Sequence, residues 1–185
     1  MAARPLWMHV AVMRIFDSMP RVRQLRRKAG ELAGDDTVLE VGCGLGANAP
    51  YCRGRYIGLD PREPVIDIAR RRHPDKEFIA GDLDGAELPD ELDVVLLMLT
   101  VHEMHDRDAT LRRIAELPLK RIVVIDYDAT MNDWSRFWTQ FNEPVPMEPY
   151  WQLDLIEFFA ALGWRGTTGK INRLFNWWEF TRDDA

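Results

Sequence analysis

Val38-Leu39-Glu40-Val41-Gly42-Cys43-Gly44-Leu45-Gly46 is the stretch on which the fold turns. Its short apolar run reads as a strand buried on both faces, the kind a parallel sheet needs. Glycines immediately beyond such a strand let the backbone turn sharply and lie against a ligand, with amide groups left to donate hydrogen bonds. An open α/β sheet places its ligands there, past the carboxyl ends of its strands. Gly42, Gly44 and Ala47 also satisfy the G-x-G-x-x-A pattern of dinucleotide sites, so the turn alone leaves the ligand open.

Outward from this turn the same texture repeats. Thr37 to Val41, Tyr56 to Leu59, Phe78 to Ala80, Asp93 to Leu99 and Arg121 to Ile125 are each apolar enough to be strands buried on both faces. Pro64 to Arg72 and Arg107 to Leu117 read as helices between them, with Pro64 suited to a first turn and Asp106 able to cap the second. The alternation predicts a three-layer α/β sandwich. Ahead of it, Leu6, Val10 and Met13 recur at helical spacing, Pro20 interrupts, and Val22, Leu25, Ala29 and Leu32 share a second helical face. Thr130 to Tyr150 carries Trp134, Phe137, Trp138, Phe141 and three prolines without a sustained period, as an inserted lid or loop does. Leu153, Ile156 and Ala160 mark a helix that Gly163 can end, and Trp164 onward, above all Leu174 to Phe180, reads as closing strands. One domain over residues 1–185 is expected, with a helical arm at 1–33, a core at 37–126, the insertion at 130–150 and a closing section at 151–185.

Three acids stand at successive strand ends. Glu40 precedes the first glycine by two residues, Asp60 follows Glu40 by 20 residues, and Asp82 comes 22 residues after Asp60. A carboxylate closing the second strand accepts hydrogen bonds from both hydroxyls of a ribose. An acid after the third can accept from an exocyclic adenine amine. Glu40 suits a cationic ligand and is out of place beside a pyrophosphate. Pro50, four residues after Gly46, also cuts short the helix that would bind one.

These blocks, with Tyr56-Ile57-Gly58-Leu59-Asp60-Pro61, Gly81-Asp82-Leu83 and Leu92-Asp93-Val94-Val95-Leu96, resemble the class I S-adenosylmethionine-dependent methyltransferases in order and spacing, over roughly Thr37 to Asp126. The resemblance implies a Rossmann-like, mostly parallel seven-stranded sheet with an antiparallel last strand, which Leu174 to Phe180 can supply. It implies S-adenosyl-L-methionine as cofactor, with Glu40, Gly42, Gly44 and Gly46 at its methionine and ribose part. Asp60 would then hold the ribose hydroxyls, and Asp82 with the Leu83 amide the adenine. The segment Ala47 to Arg55 is short for this family's first crossover helix.

Thr100-Val101-His102-Glu103-Met104-His105-Asp106 follows the fourth strand, where such a fold presents side chains to a substrate. A sulfonium carries its own leaving group, so the protein mainly aligns the nucleophile and excludes water. An oxygen or nitrogen nucleophile can also need a proton removed, for which histidine is suited. His102 and His105 are the candidate catalytic residues, His102 preferred as nearer the strand end. Their order does not match the H-E-x-x-H zinc pattern, and no metal is expected. The Asn/Asp-Pro-Pro-Tyr signature of adenine and glutamine N-methyltransferases is absent. A small-molecule acceptor of apolar or aromatic character fits, with Trp7, Phe16 and the aromatics of 130–150 either roofing a pocket or serving as core. The alternatives are a catalytically silent S-adenosylmethionine-binding partner module and a nicotinamide-dependent oxidoreductase; Glu40 and the lack of room for a second domain speak against the latter.

Composition narrows the partners. The chain has 185 residues, 46% hydrophobic and 29% charged, with 24 Lys and Arg against 30 Asp and Glu. This acidic balance argues against a dedicated nucleic-acid binder. Residues 1–30 nevertheless hold seven basic residues against Asp17, a net +6, while the other 17 basic and 29 acidic residues sum to -12. Arg23, Arg26 and Arg27 are expected to point away from the apolar stripe of their helix, with Arg21 and Lys28 flanking it. That basic face suits either plain solvation or contact with an anionic membrane surface or acidic partner. Cys43 and Cys52 form no CxxC pattern and read as small packing residues, which together with the missing signal peptide and spanning segment suggests a cytoplasmic protein.

Overall fold

A computed structural model describes residues 6–130, 135–136 and 148–182. The apolar runs form β1 (Val38–Val41), β2 (Tyr56–Asp60), β3 (Glu77–Ala80), β4 (Val94–Met98) and β5 (Arg121–Tyr127), all paired in parallel. Two further strands, β6 (Arg165–Lys170) and β7 (Phe175–Thr181), complete one sheet in the order β3-β2-β1-β4-β5-β7-β6, with β7 antiparallel to both its neighbours. The α/β architecture with its antiparallel last strand is the expected one. In the register, Val41 lies opposite Leu59, Asp60 opposite Ala80 and Met98 opposite Ile125, so the carboxyl ends of five parallel strands reach one edge of the sheet. Chain order reverses between β1 and β4, which opens a crevice at that edge.

Every residue of β1, β2 and β4 is buried, as continuous apolar strands at the centre of a sheet must be. β3 departs from that expectation. It is an edge strand with Glu77 exposed and only Phe78 buried, because among the described residues no further strand covers its outer side.

Helix α1 (Leu6–Ser18) leads into α2 (Pro20–Ala33), which packs on β4 and β5 and buries Val22, Leu25, Ala29 and Ala33. The β1–β2 connection holds only a 3-10 turn at Ala49–Tyr51 in place of a crossover helix. α2 sits directly on that turn: a Cβ at Gly30 would lie 2.4 Å from the Tyr51 carbonyl oxygen. Helix α3 (Glu63–Arg72) packs on β2 and β3 and carries Pro64 in its first turn, where a missing N–H costs nothing. Helix α4 (Arg107–Glu116) starts after Asp106, but the Asp106 side chain makes no capping hydrogen bond; its carbonyl instead accepts from the Thr110 hydroxyl at 2.9 Å. Short helices α5 (Glu148–Trp151) and α6 (Leu155–Ala160) follow, α6 capped by Asp154 accepting from the Ile156 and Glu157 amides.

Arg26 corrects the simple reading of α2. Only 7% exposed, it is not on a solvated basic face. It donates to the Asp17 carbonyl (3.0 Å), to the Asp17 carboxylate and to Asn48 Oδ1 (3.2 Å). The packing of α1 against α2 brings Asp17 over this position and buries the guanidinium, whereas Arg21, Arg23 and Arg27 stay exposed. Of the aromatic insertion, Trp134, Phe137, Trp138 and Phe141 lie outside the described residues, as does the side chain of Phe16.

Candidate active site

The strand ends and the N-terminal helices enclose a cavity of about 1610 Å³. Glu40, Gly42, Gly44, Asp60, Asp82, Leu83, His102 and His105 all lie in its wall. Gly46 does not; a Cβ there would meet the Phe78 ring at 2.7 Å, so its part is to let the turn pack against β3. Trp7 is also absent from the wall and 72% exposed, which removes it as a roof for the pocket.

The turn after β1 depends on backbone conformations that side chains resist. Gly42 has φ of 78° and Gly44 of 53°. A Cβ on Gly42 would lie 2.5 Å from Thr100 Cγ2, so the turn and the loop after β4 touch only because that atom is missing. Leu99, at φ of 55°, is the non-glycine residue in the same region among those described. It swings the chain out of β4 so that residues 100–106 run along the cavity.

Glu40 is 1% exposed and held by two donors, Asn48 Nδ2 at 2.5 Å and the Tyr56 hydroxyl. Arg26, donating to Asn48, completes a buried chain from helix α2 to the acid. Burial pushes the Glu40 carboxyl up to about 7, against the opposing pull of Tyr56, Asn48 and Arg26. Folded Glu40 therefore keeps its proton up to about pH 7, while the unfolded chain releases it near 4.5. The native state binds the extra proton between those values, so stability falls as pH rises through that window. Glu40→Gln removes this penalty, its amide donating to a Tyr56 hydroxyl turned to accept. Urea unfolding of the two proteins is expected to coincide at low pH, near the ordinary carboxyl value, and to favour the variant by about 3 kcal/mol at pH 8. Equal stabilities at both pH values would contradict a desolvated acid.

Asp60, 1% exposed, accepts from the Gly44 amide at 3.0 Å and from the Arg62 amide at 3.0 Å. The Arg62 guanidinium grips both its oxygens at 2.8 Å while remaining 44% exposed itself. Asp82 is exposed on the cavity wall and accepts from the Gly85 amide at 2.9 Å, and Leu83 beside it is buried.

The two histidines separate clearly. His105 is exposed. His102, in the 3-10 turn Val101–Glu103, is 8% exposed and sets Nδ1 2.7 Å from Oδ1 of the fully buried Asp126 at the end of β5. The His102 amide donates to the other Asp126 oxygen at 3.3 Å. Tyr127 and Tyr150 close edge-on around the ring, with centroids 5.0 and 6.1 Å away, and the Tyr150 hydroxyl donates to the Tyr127 carbonyl at 2.5 Å. Imidazole orientation is thereby fixed from three sides. Cys43 and Cys52 are buried and unpaired with each other, and burial pushes the Cys52 thiol up to about 12, far from the reactive thiolate.

Asp126, Asn48, Tyr56 and Arg26 escaped the sequence reading. Asp126 lies 24 residues from His102 and becomes its neighbour only because β4 and β5 are adjacent. The acid closing the fifth strand was the one visible signal.

Residues 39–120 match the family described as methyltransferase domain. A fatty-acid O-methyltransferase of Mycolicibacterium smegmatis is 36% identical over 88 residues, covering 43% of this chain and 32% of that protein. The chain spans about a third of the length of the curated relatives it matches, 32% and 35%. Among solved structures, the magnesium protoporphyrin IX methyltransferase of Synechocystis PCC 6803 with bound SAH superposes with a TM-score of 0.68 at 16% identity, covering 88% of this chain and 84% of that one. A SAM-dependent methyltransferase of Aquifex aeolicus gives 0.68 at 17% identity, over 92% and 97%.

Proposed function

Because the chain carries over residues 39–120 a methyltransferase domain of the class I, Rossmann-like kind, we propose that it transfers the methyl group of S-adenosylmethionine to an oxygen of a small apolar acceptor. One observation carries the reading: the glycine turn, Asp60, Asp82 and His102 meet in a single cavity, with Asp126 buried behind the His102 ring. Glu40, its oxygens held by Asn48 and Tyr56, anchors the base of the glycine turn that lies against the methionine part of the cofactor, Asp60 takes the ribose hydroxyls as Arg62 swings aside, and Asp82 with the Leu83 amide faces the adenine. The cofactor supplies an electrophilic methyl carbon and a neutral thioether leaving group. What remains for the protein is to place the acceptor oxygen in line and to take its proton.

His102 is the residue for that proton. With Nδ1–H donated to Asp126, Nε2 is the basic nitrogen, and the buried carboxylate stabilises the imidazolium that forms. A base of this kind suits a hydroxyl acceptor. Met104, Leu174, Phe175 and Tyr127 in the cavity wall suit an apolar body for it. The relative named for fatty-acid O-methylation favours a second reading, a long-chain carboxylate, which is already ionised and needs no base.

A labelled methyl donor offered with long-chain alcohols, phenols, long-chain carboxylates and amines tests this. Label is expected in an ether of an apolar hydroxyl compound, with rate rising as His102 loses its proton. Label in a methyl ester at a pH-independent rate would select the carboxylate, and label in amines alone would overturn oxygen as the attacking atom.

A further inference from the structure

We propose that the N-terminal helices dock the protein on an anionic lipid bilayer and that the cavity draws its acceptor from there. The inference rests on the apolar-acceptor reading only for its second half. Trp7, Ala11 and Ile15 recur every four residues and share one face of α1, and all three are exposed, Trp7 at 72% and Ile15 at 63%. Met19, 45% exposed, continues this ridge past the helix end. Trp7, Ile15 and Met19 are the large exposed hydrophobics among the described residues, and all lie within thirteen positions of one another on an arm of net charge +6. Exposed Arg14, Arg23 and Arg27 stand on the same two packed helices.

An apolar ridge beside exposed arginines is the composition of a helix lying in a bilayer interface. The charge complementarity is with an anionic surface, since the remainder of the chain carries -12 and is repelled by it, which orients the arm inward. The same helices also reach the site. Met13 and Asp17 of α1, and Met19 and Arg21 at the start of α2, belong to the cavity wall, and a Cβ on Gly44 would lie 2.6 Å from Met13 Cε. Met19 is at once part of the exposed ridge and part of the wall, so the mouth of the cavity opens beside the docking face. An apolar acceptor can then pass from lipid to site without crossing water.

Co-sedimentation of the full chain with phosphatidylcholine vesicles, with and without about one phosphatidylglycerol in three, tests the docking without any acceptor present. Binding is expected to the anionic vesicles alone and to weaken with salt. At about fivefold per basic side chain near the surface, Arg23→Gln with Arg27→Gln should lower partitioning about 25-fold. Trp7→Ser with Ile15→Ser should lower it about tenfold or more at unchanged net charge. Neither pair lines the cavity, so S-adenosylmethionine binding should be unchanged in both, which shows that the variants fold. Absence of vesicle binding, or binding indifferent to both pairs of substitutions, overturns the proposal while leaving the methyl-transfer reading intact. Self-association in solution that Trp7→Ser with Ile15→Ser abolishes overturns it as well, assigning the face to a second copy.

Discussion

His102→Ala is expected to lower turnover on a hydroxyl acceptor about 10²- to 10⁴-fold, the range for loss of a positioned general base, and to leave affinity for S-adenosylmethionine unchanged. The magnitude follows from how completely the ring is positioned. Asp126 fixes Nδ1 at 2.7 Å, Tyr127 and Tyr150 hold the ring plane, and the residue is buried in the cavity wall. Among the described residues no other histidine shares this arrangement: His105, three residues on, is exposed and outside the Asp126 contact, so His105→Ala should change turnover by only about threefold. Asp126→Asn separates positioning from mere packing. The amide keeps the shape but can present its NH₂ to Nδ1, which favours the tautomer with the proton on Nε2, where the base must be unprotonated. A fall in kcat with an intact KM and an altered pH profile is the expected signature, and an unaltered profile would make Asp126 structural. A carboxylate acceptor has no proton to give, so survival of methyl-ester formation in His102→Ala would identify that acceptor.

Asp60→Ala is expected to weaken S-adenosylmethionine binding about 10- to 100-fold. Hydrogen bonds to a charged group contribute about 1.5 to 3 kcal/mol each, which for two ribose hydroxyls would give a larger loss. The carboxylate is not idle before binding, however. Arg62 grips it at 2.8 Å through two guanidinium nitrogens, and the ribose gains only the difference between its own contacts and those it displaces. Arg62 is 44% exposed, so its guanidinium returns to water at small cost and the exchange still favours the ligand. The Gly44 amide loses its acceptor in the variant too, which loosens the turn by removing a bond inside the cavity. Circular dichroism should show the sheet unchanged, because Asp60 is the last residue of β2 and contributes nothing to its apolar faces.

The parts of this fold that could be read from sequence are those written locally. A strand, a glycine turn and an acid at the next strand end are short-range patterns, and the register of the sheet then carries Glu40, Asp60 and Asp82 to one edge without further information. The short β1–β2 connection was visible because Pro50 arrives so soon after Gly46, and the 3-10 turn at Ala49–Tyr51 is its outcome. What could not be read depends on which elements become neighbours. Arg26 belongs by sequence to a basic helix, and only the approach of α1 places Asp17 and Asn48 around it. Glu40 looked like a carboxylate facing a ligand, whereas Tyr56 and Asn48 engage both its oxygens from β2 and from the turn. The exposed side of β3 follows from its place at the sheet edge, a property of strand order that no single strand reveals. Asp106 looked like a helix cap because of its residue type, and the backbone ahead of α4 turned its side chain elsewhere.

Calorimetric titration of the wild-type chain and of Asp60→Ala with S-adenosylmethionine, its demethylated product and NAD tests the cofactor site most directly. The wild type is expected to bind both adenosyl ligands and not NAD, because the 3-10 turn at Ala49–Tyr51 supplies no helix N-terminus to hold a pyrophosphate, and Asp60→Ala to lose about 10- to 100-fold in affinity for each. Binding of NAD alone, or adenosyl affinity indifferent to Asp60 in a folded variant, would contradict the assignment.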